Sequence, residues 1–122
     1  MVTLVIRDKL PNLNDYTKAC RTNKYVGAGM KKKYERIISY YIQEQLKGVS
    51  FKNKVKLSFR WYEKDKRRDL DNICFSKKFI LDALVSNNII VSDGWRGVVG
   101  FTDEFYIDKA GYKIEVDIEE VE

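Results

Sequence analysis

Asp69 and Asp71 stand one residue apart in the run Arg67-Arg68-Asp69-Leu70-Asp71-Asn72, with Lys77-Lys78, Leu81-Asp82-Ala83-Leu84 and Asp93-Gly94 downstream. Carboxylates repel a phosphate backbone, so acids gathered inside a basic chain are a poor DNA surface by themselves. A divalent cation between carboxylate and phosphate removes that conflict, because Mg²⁺ takes oxygen ligands and keeps several waters. Such an ion lowers the pKa of a bound water and offsets charge building on the phosphoryl group. The residue types therefore point to a metal-dependent nuclease. Each residue also has a plainer use. Aspartate before a helix is a common N-cap, Asp-Gly is ordinary turn chemistry, and Lys78 can pair with Asp82 at i,i+4.

What the chain lacks narrows the chemistry further. It has no histidine, which removes Ser-His-Asp triads, HExxH zinc sites and histidine-based nucleases. Cys20 and Cys74 are the two cysteines. They are far apart and outside CxxC spacing, which fits reduced thiols and a cytoplasmic protein rather than a disulfide framework or structural zinc. No apolar run is long enough to span a bilayer, so no membrane role is expected. The length, 122 residues, suits one domain with a single core, taken here as residues 1–122. Tyr40, Tyr41 and Tyr62 are expected in or near that core.

The net charge of +5 is unevenly distributed. Residues 1–68 carry 18 Lys/Arg against 6 Asp/Glu, and residues 69–122 carry 5 against 12. The asymmetry suggests a basic face for a polyanion beside an acidic region. Lys18, Arg21, Lys24, Lys31, Lys32, Lys33, Arg36, Arg67 and Arg68 are the candidate phosphate contacts. They would give affinity and salt dependence rather than sequence reading.

The elements that must position these groups can be read from periodicity. Val2 to Ile6 predicts a strand. Pro11 through Gly29 predicts irregular chain, with Asn12, Asp15, Gly27 and Gly29 as turn formers, and its lysines lying along phosphate like an arm. Apolar positions from Met30 to about Lys47 recur at helical spacing and stop at Gly48. Lys31, Lys32, Lys33 and Arg36 would then load the first turns of that helix, against its dipole. Val55, Leu57, Phe59 and Trp61 alternate with polar residues as a half-buried strand. Asn72 to about Asn87 predicts a second helix, with Asp71 or Asn72 as its cap. Residues 98–107 read as one bent strand or two short ones, Gly111 as a hairpin, and Tyr112 to Ile118 as a final strand. The fold class expected is α+β, a small mixed sheet with two main helices packed on one face and a terminal hairpin.

If Asp69 to Asp71 is extended, the period of two puts both carboxylates on one side. On an ideal helix beginning at Asp71, at about 100° per residue, Lys78 lies nearly in register with Asp71 and Asp82 follows one turn later. Lys77 falls about 120° away, on the stripe of Ile73, Ile80 and Leu84. Lys78 is thus the better placed of the two lysines.

Arg-Asp-Leu-Asp-Asn at 68–72, with Lys78, Leu81-Asp82-Ala83-Leu84 and Asp93, resembles the RusA-type Holliday junction resolvases, endonucleases that are mostly phage- or prophage-encoded. Pro11-Asn12-Leu13-Asn14 and the Tyr25 to Lys31 stretch resemble the family's N-terminal part, so the likeness covers nearly the whole chain. It implies an Mg²⁺-dependent homodimer, with Mn²⁺ as a substitute ion, that cuts four-way DNA by paired nicks. Asp69, Asp71 and Asp93 would hold the metal, and Lys78 would be the catalytic lysine. Two departures stand out. Some members have a shorter spacer before Leu-Asp-Ala-Leu, and the extra residues here, about Cys74 to Ser76, leave Lys77 open beside Lys78. Many members have paired aspartates where this chain has Ser92-Asp93-Gly94, so Asp93 would act alone or borrow Asp82. The rival readings are a non-catalytic DNA-binding module and a less selective flap or branch nuclease.

Overall fold

Strand β2 (Val55–Glu63) organises the sheet. Its alternation is borne out: Val55, Leu57, Phe59 and Trp61 are buried on one face, and Lys56, Ser58, Arg60 and Tyr62 occupy the other. The computed structural model describes residues 1–121. The other strands are β1 (Val2–Ile6), β3 (Val98–Ile107) and β4 (Lys113–Glu120), in sheet order β1-β4-β2-β3. β4 runs antiparallel to both β1 and β2, while β3 runs parallel to β2. The sheet is therefore mixed, and the fold is α+β as expected.

The expected terminal hairpin does not form. β3 and β4 follow one another in sequence, but β2 is inserted between them, with one ladder to each. Gly111 still marks the reversal, at φ +156. β3 is one strand, with a register shift at its start opposite Val55 and Lys56.

Helices cover one face only. They are α1 (Leu13–Thr22), α2 (Lys24–Gln45), the single turn α3 (Leu70–Ile73) and α4 (Lys77–Ser86). Ile38 and Ile42 of α2 and Phe79, Ile80 and Leu84 of α4 close over the apolar face of the sheet as one core. Among the described residues no helix lies over the opposite face, which is polar, with Arg60 bonded to Glu115 and Asp117 and Tyr62 donating to Glu115.

Residues 11–29 depart from expectation. Asn12 is an N-cap: its side chain accepts from the Asp15 amide while the Asp15 carboxylate accepts from the Asn12 amide. That reciprocal capping box starts α1 where irregular chain was expected. Gly27 and Gly29 are not turn residues but lie inside α2. At Gly27 an added Cβ would crowd the Cys20 sulfur at 2.6 Å, so this approach of the two helices could accommodate it only by a shift. Since α2 begins at Lys24, Lys31 to Arg36 sit well beyond its first turn, and the expected conflict with the helix dipole disappears. Gly48, at φ +80, follows the end of α2 as expected. Tyr41 packs against the core and donates to Asp8, and Tyr62 is half-buried. Tyr40, expected in or near the core, is exposed on α2.

Candidate active site

A parallel pair of neighbouring strands requires a crossover, and α3 and α4 supply it between β2 and β3. The candidate catalytic residues Asp69, Asp71, Lys78 and Asp93 all lie in that crossover. The helical stretch starts at Leu70, with Asp69 in extended conformation as its N-cap and making no side-chain cap bond. The expected cap, Asp71 or Asn72, is thus displaced by two or three residues. Asp71 lies within α3, where its carboxylate bonds the Asn72 amide. Because only Asp69 is extended, the period-of-two argument for a shared side does not apply. Asp69 instead lines a cleft of about 350 Å³ together with Glu63, Leu70, Ile73, Phe105 and Ile107.

Residues 74–76 interrupt the helix as a 3₁₀ turn. The ideal-helix register from Asp71 to Lys78 is therefore broken, yet the two lysines are sharply distinguished. Lys78 Nζ donates to Asp82 at 3.0 Å and to Asp93 at 3.1 Å, joining groups 15 residues apart. Lys31 of α2 meets the other oxygen of Asp82 at 3.4 Å. Lys77 points elsewhere. Its ammonium lies 2.7 Å from Asp103 of β3 and over the rings of Phe59 and Phe101. Asp103 also accepts from the Trp61 indole at 2.9 Å. Asp103 had no signal in the sequence beyond its place in a strand, because its partners come from β2 and α4.

The electrostatics follow from these contacts. The Asp82 and Asp93 carboxylates raise the pKa of Lys78 above its ordinary value, so it remains an ammonium through neutral pH. Lys78 in turn holds Asp93 below the usual carboxylate range. Desolvation raises Glu63, with Arg68 opposing it. The Arg68 guanidinium is mostly buried, 3.4 Å from Glu63 and bonded to the Leu10 carbonyl. It faces inward, unlike the other basic candidates. Lys18, Arg21, Lys24, Lys32, Lys33, Arg36 and Arg67 are exposed, and Lys31 is half-exposed.

Asp93 does not join Asp69 and Asp71. Among the described residues, no group of three or more carboxylates or thiols is placed to hold a metal ion. Topology explains this. Asp69 follows the C-terminal end of β2, whereas Asp93 precedes the N-terminal end of β3, and these strands run parallel. The crossover carries the chain back from one end to the other. Lys78 lies between them, seven positions past Asp71 and about 10 Å along a helix. The donors of one protomer alone do not fit a three-carboxylate magnesium site.

Lys78 is thus held between two carboxylates, beside a helix bearing Lys31, Lys32, Lys33 and Arg36. The model of the endodeoxyribonuclease RusA family matches residues 10–119, and the chain belongs to that family. No curated protein matches the chain. Among the described residues, no helix is long and apolar enough to cross a membrane.

Proposed function

We propose that this endodeoxyribonuclease resolves four-way DNA junctions by paired, symmetric nicks, with divalent-cation dependence, Mg²⁺ first and Mn²⁺ as substitute. The observation that carries this reading is the meeting of Lys78 with Asp93, residues that the family likeness pairs and that lie on different elements. Lys78 is suited to stabilise charge on a phosphate oxygen, since its carboxylate neighbours keep it protonated. The exposed lysines and arginines of α1 and α2 would hold the backbone without reading sequence. A cytoplasmic setting and a phage or prophage origin belong to the same reading.

The separation of Asp69 and Asp71 from Asp93 gives the expected homodimer a definite task. A cation held by all three needs a second copy, with Asp93 of one protomer approaching Asp69 and Asp71 of the other. An isologous pair also supplies two sites for the two opposed strands of a symmetric junction. Asp69→Asn and Asp93→Asn chains should each be inactive on a labelled four-way junction with Mg²⁺. Mixed, they should regain single nicking, because one of the two shared sites is then intact. No recovery on mixing would sink the shared site. Cutting of linear duplex as fast as junction would favour the less selective nuclease, and binding without any product would favour the non-catalytic module.

A further inference from the structure

Two tryptophans stand in opposite environments. Trp61 is 1% exposed in the core, and Trp95 is 90% exposed in the turn that follows Asp93. An indole held in water needs a reason, and this one is not simply loose. Ser92 Oγ accepts from the Gly94 amide at 3.0 Å, and the Gly94 carbonyl accepts from both Gly97 and Val98 at 3.0 Å. The Gly97 carbonyl is taken by the Val55 amide at 2.9 Å, which ties the turn to β2. Gly97 lies so close that a Cβ there would sit 2.0 Å from the Ser92 carbonyl oxygen. On the near side, Asp93 is anchored to Lys78. Both ends of the turn are fixed, and Trp95 projects from its apex beside Arg96, which is also exposed.

The turn's surroundings are charged, with Arg96 exposed next to the ring and paired lysines and aspartates at its start. Lys78 reaches Asp93, and Lys31 of the basic helix α2 reaches Asp82 alongside. A stable protein partner buries about 800 Å² on each side, whereas Trp95 is a single exposed ring between Gly94 and the charged Arg96. An exposed aromatic ring beside an exposed arginine suits a nucleobase, because every base offers a π-face and stacking tolerates any sequence. A continuous duplex hides those faces, but a branch point exposes the terminal pair of each arm.

We propose that Trp95 stacks on a base exposed at the DNA branch point, next to the strand approached by Asp93 and Lys78. The inference rests on the junction-nuclease reading for its substrate and adds a residue that selects branched over linear DNA. The probe is an immobile four-way junction with 2-aminopurine at the crossover, set against a linear duplex of matching sequence, in metal-free buffer. Junction should quench the red emission of Trp95 and perturb the 2-aminopurine signal, while duplex should do neither. Trp95→Ala should bind junction about tenfold more weakly, as loss of one stacked base implies, with duplex binding unchanged. Trp95→Phe should restore most of the difference.

Equal junction binding by Trp95→Ala and the native chain would overturn the inference. So would indole emission in the free protein that is already blue and shielded from acrylamide, since a second copy would then cover the ring. Quenching by junction with no cutting on addition of Mg²⁺ supports the stacking contact while ending the nuclease reading. Cutting with no quenching and no effect of Trp95→Ala ends the stacking contact alone.

Discussion

Lys77 turns its ammonium onto Asp103, between the rings of Phe59 and Phe101, whereas Lys78 extends to Asp82 and Asp93 with 57% of its side chain exposed. Removing each should therefore have opposite consequences. Lys77→Met leaves the half-buried Asp103 carboxylate with the Trp61 indole alone and gives up two ring contacts, a loss of about 1–3 kcal/mol. Lys78→Met breaks exposed pairs of the kind worth ~0–1 kcal/mol, but removes the cation opposite the phosphate and should cut nicking about 100-fold or more. Urea melts alongside junction nicking test the contrast; a Lys78→Met enzyme that still nicks at the native rate would refute it. The same pair has a pH signature. Asp93 titrates below its ordinary value because Lys78 holds its charged form. Its contribution is thus present above the usual carboxylate range and is lost as pH falls through the depressed value. The Asp93 carboxyl carbon, followed by NMR, should titrate below the usual aspartate range. Lys78→Met should move it back up, and an unmoved midpoint would show that the contact is absent in solution.

Between elements, the tightest constraint is the approach of α1 to α2 at Gly27. An added methyl would lie 2.6 Å from the Cys20 sulfur but 3.3 Å or more from the rest of that residue. Gly27→Ala should cost about 1–3 kcal/mol by overpacking, and Cys20→Ala in the same chain should recover much of it; equal melting of single and double variants would count against close packing. This contact also shows why the N-terminal third was hard to read. Glycines at 27 and 29 carry turn-forming propensity, and only a neighbouring helix makes Gly27 a packing residue. The signal that could have found α1 was local: Asn12 with Asp15 three positions on is a capping box. By contrast, β2 was legible because a strand buried on one face must alternate, and α4 because Phe79, Ile80 and Leu84 pack at helical spacing. The insertion of β2 between β3 and β4 left no local mark at all, since Gly111 turns the chain equally well between paired and unpaired strands. That topology, together with the parallel crossover, is what separates Asp69 from Asp93. The motif was visible in the sequence, but the separation of its carboxylates was not.

At the scale of the whole molecule, the uneven charge of the chain becomes a division of surfaces. The helical side carries exposed Lys32, Lys33 and Arg36, while the open sheet face carries Glu115 and Asp117 around Arg60. A phosphate backbone should therefore meet the helices and avoid the sheet, and the electrostatic part of binding should come from a few exposed cations. Measured against salt, log K for junction binding falls by about 0.9 per phosphate neutralised. Lys32→Ala and Lys33→Ala should each reduce that slope by about 1, with little change in melting. Arg68→Ala should do the reverse. It removes the buried partner of Glu63 and a bond to the Leu10 carbonyl, so stability should drop while the salt slope stays that of the native chain. If Arg68→Ala flattened the slope as much as Lys33→Ala, its guanidinium would have to leave the interior to meet DNA. The inward pairing described here would then hold only in the unbound protein.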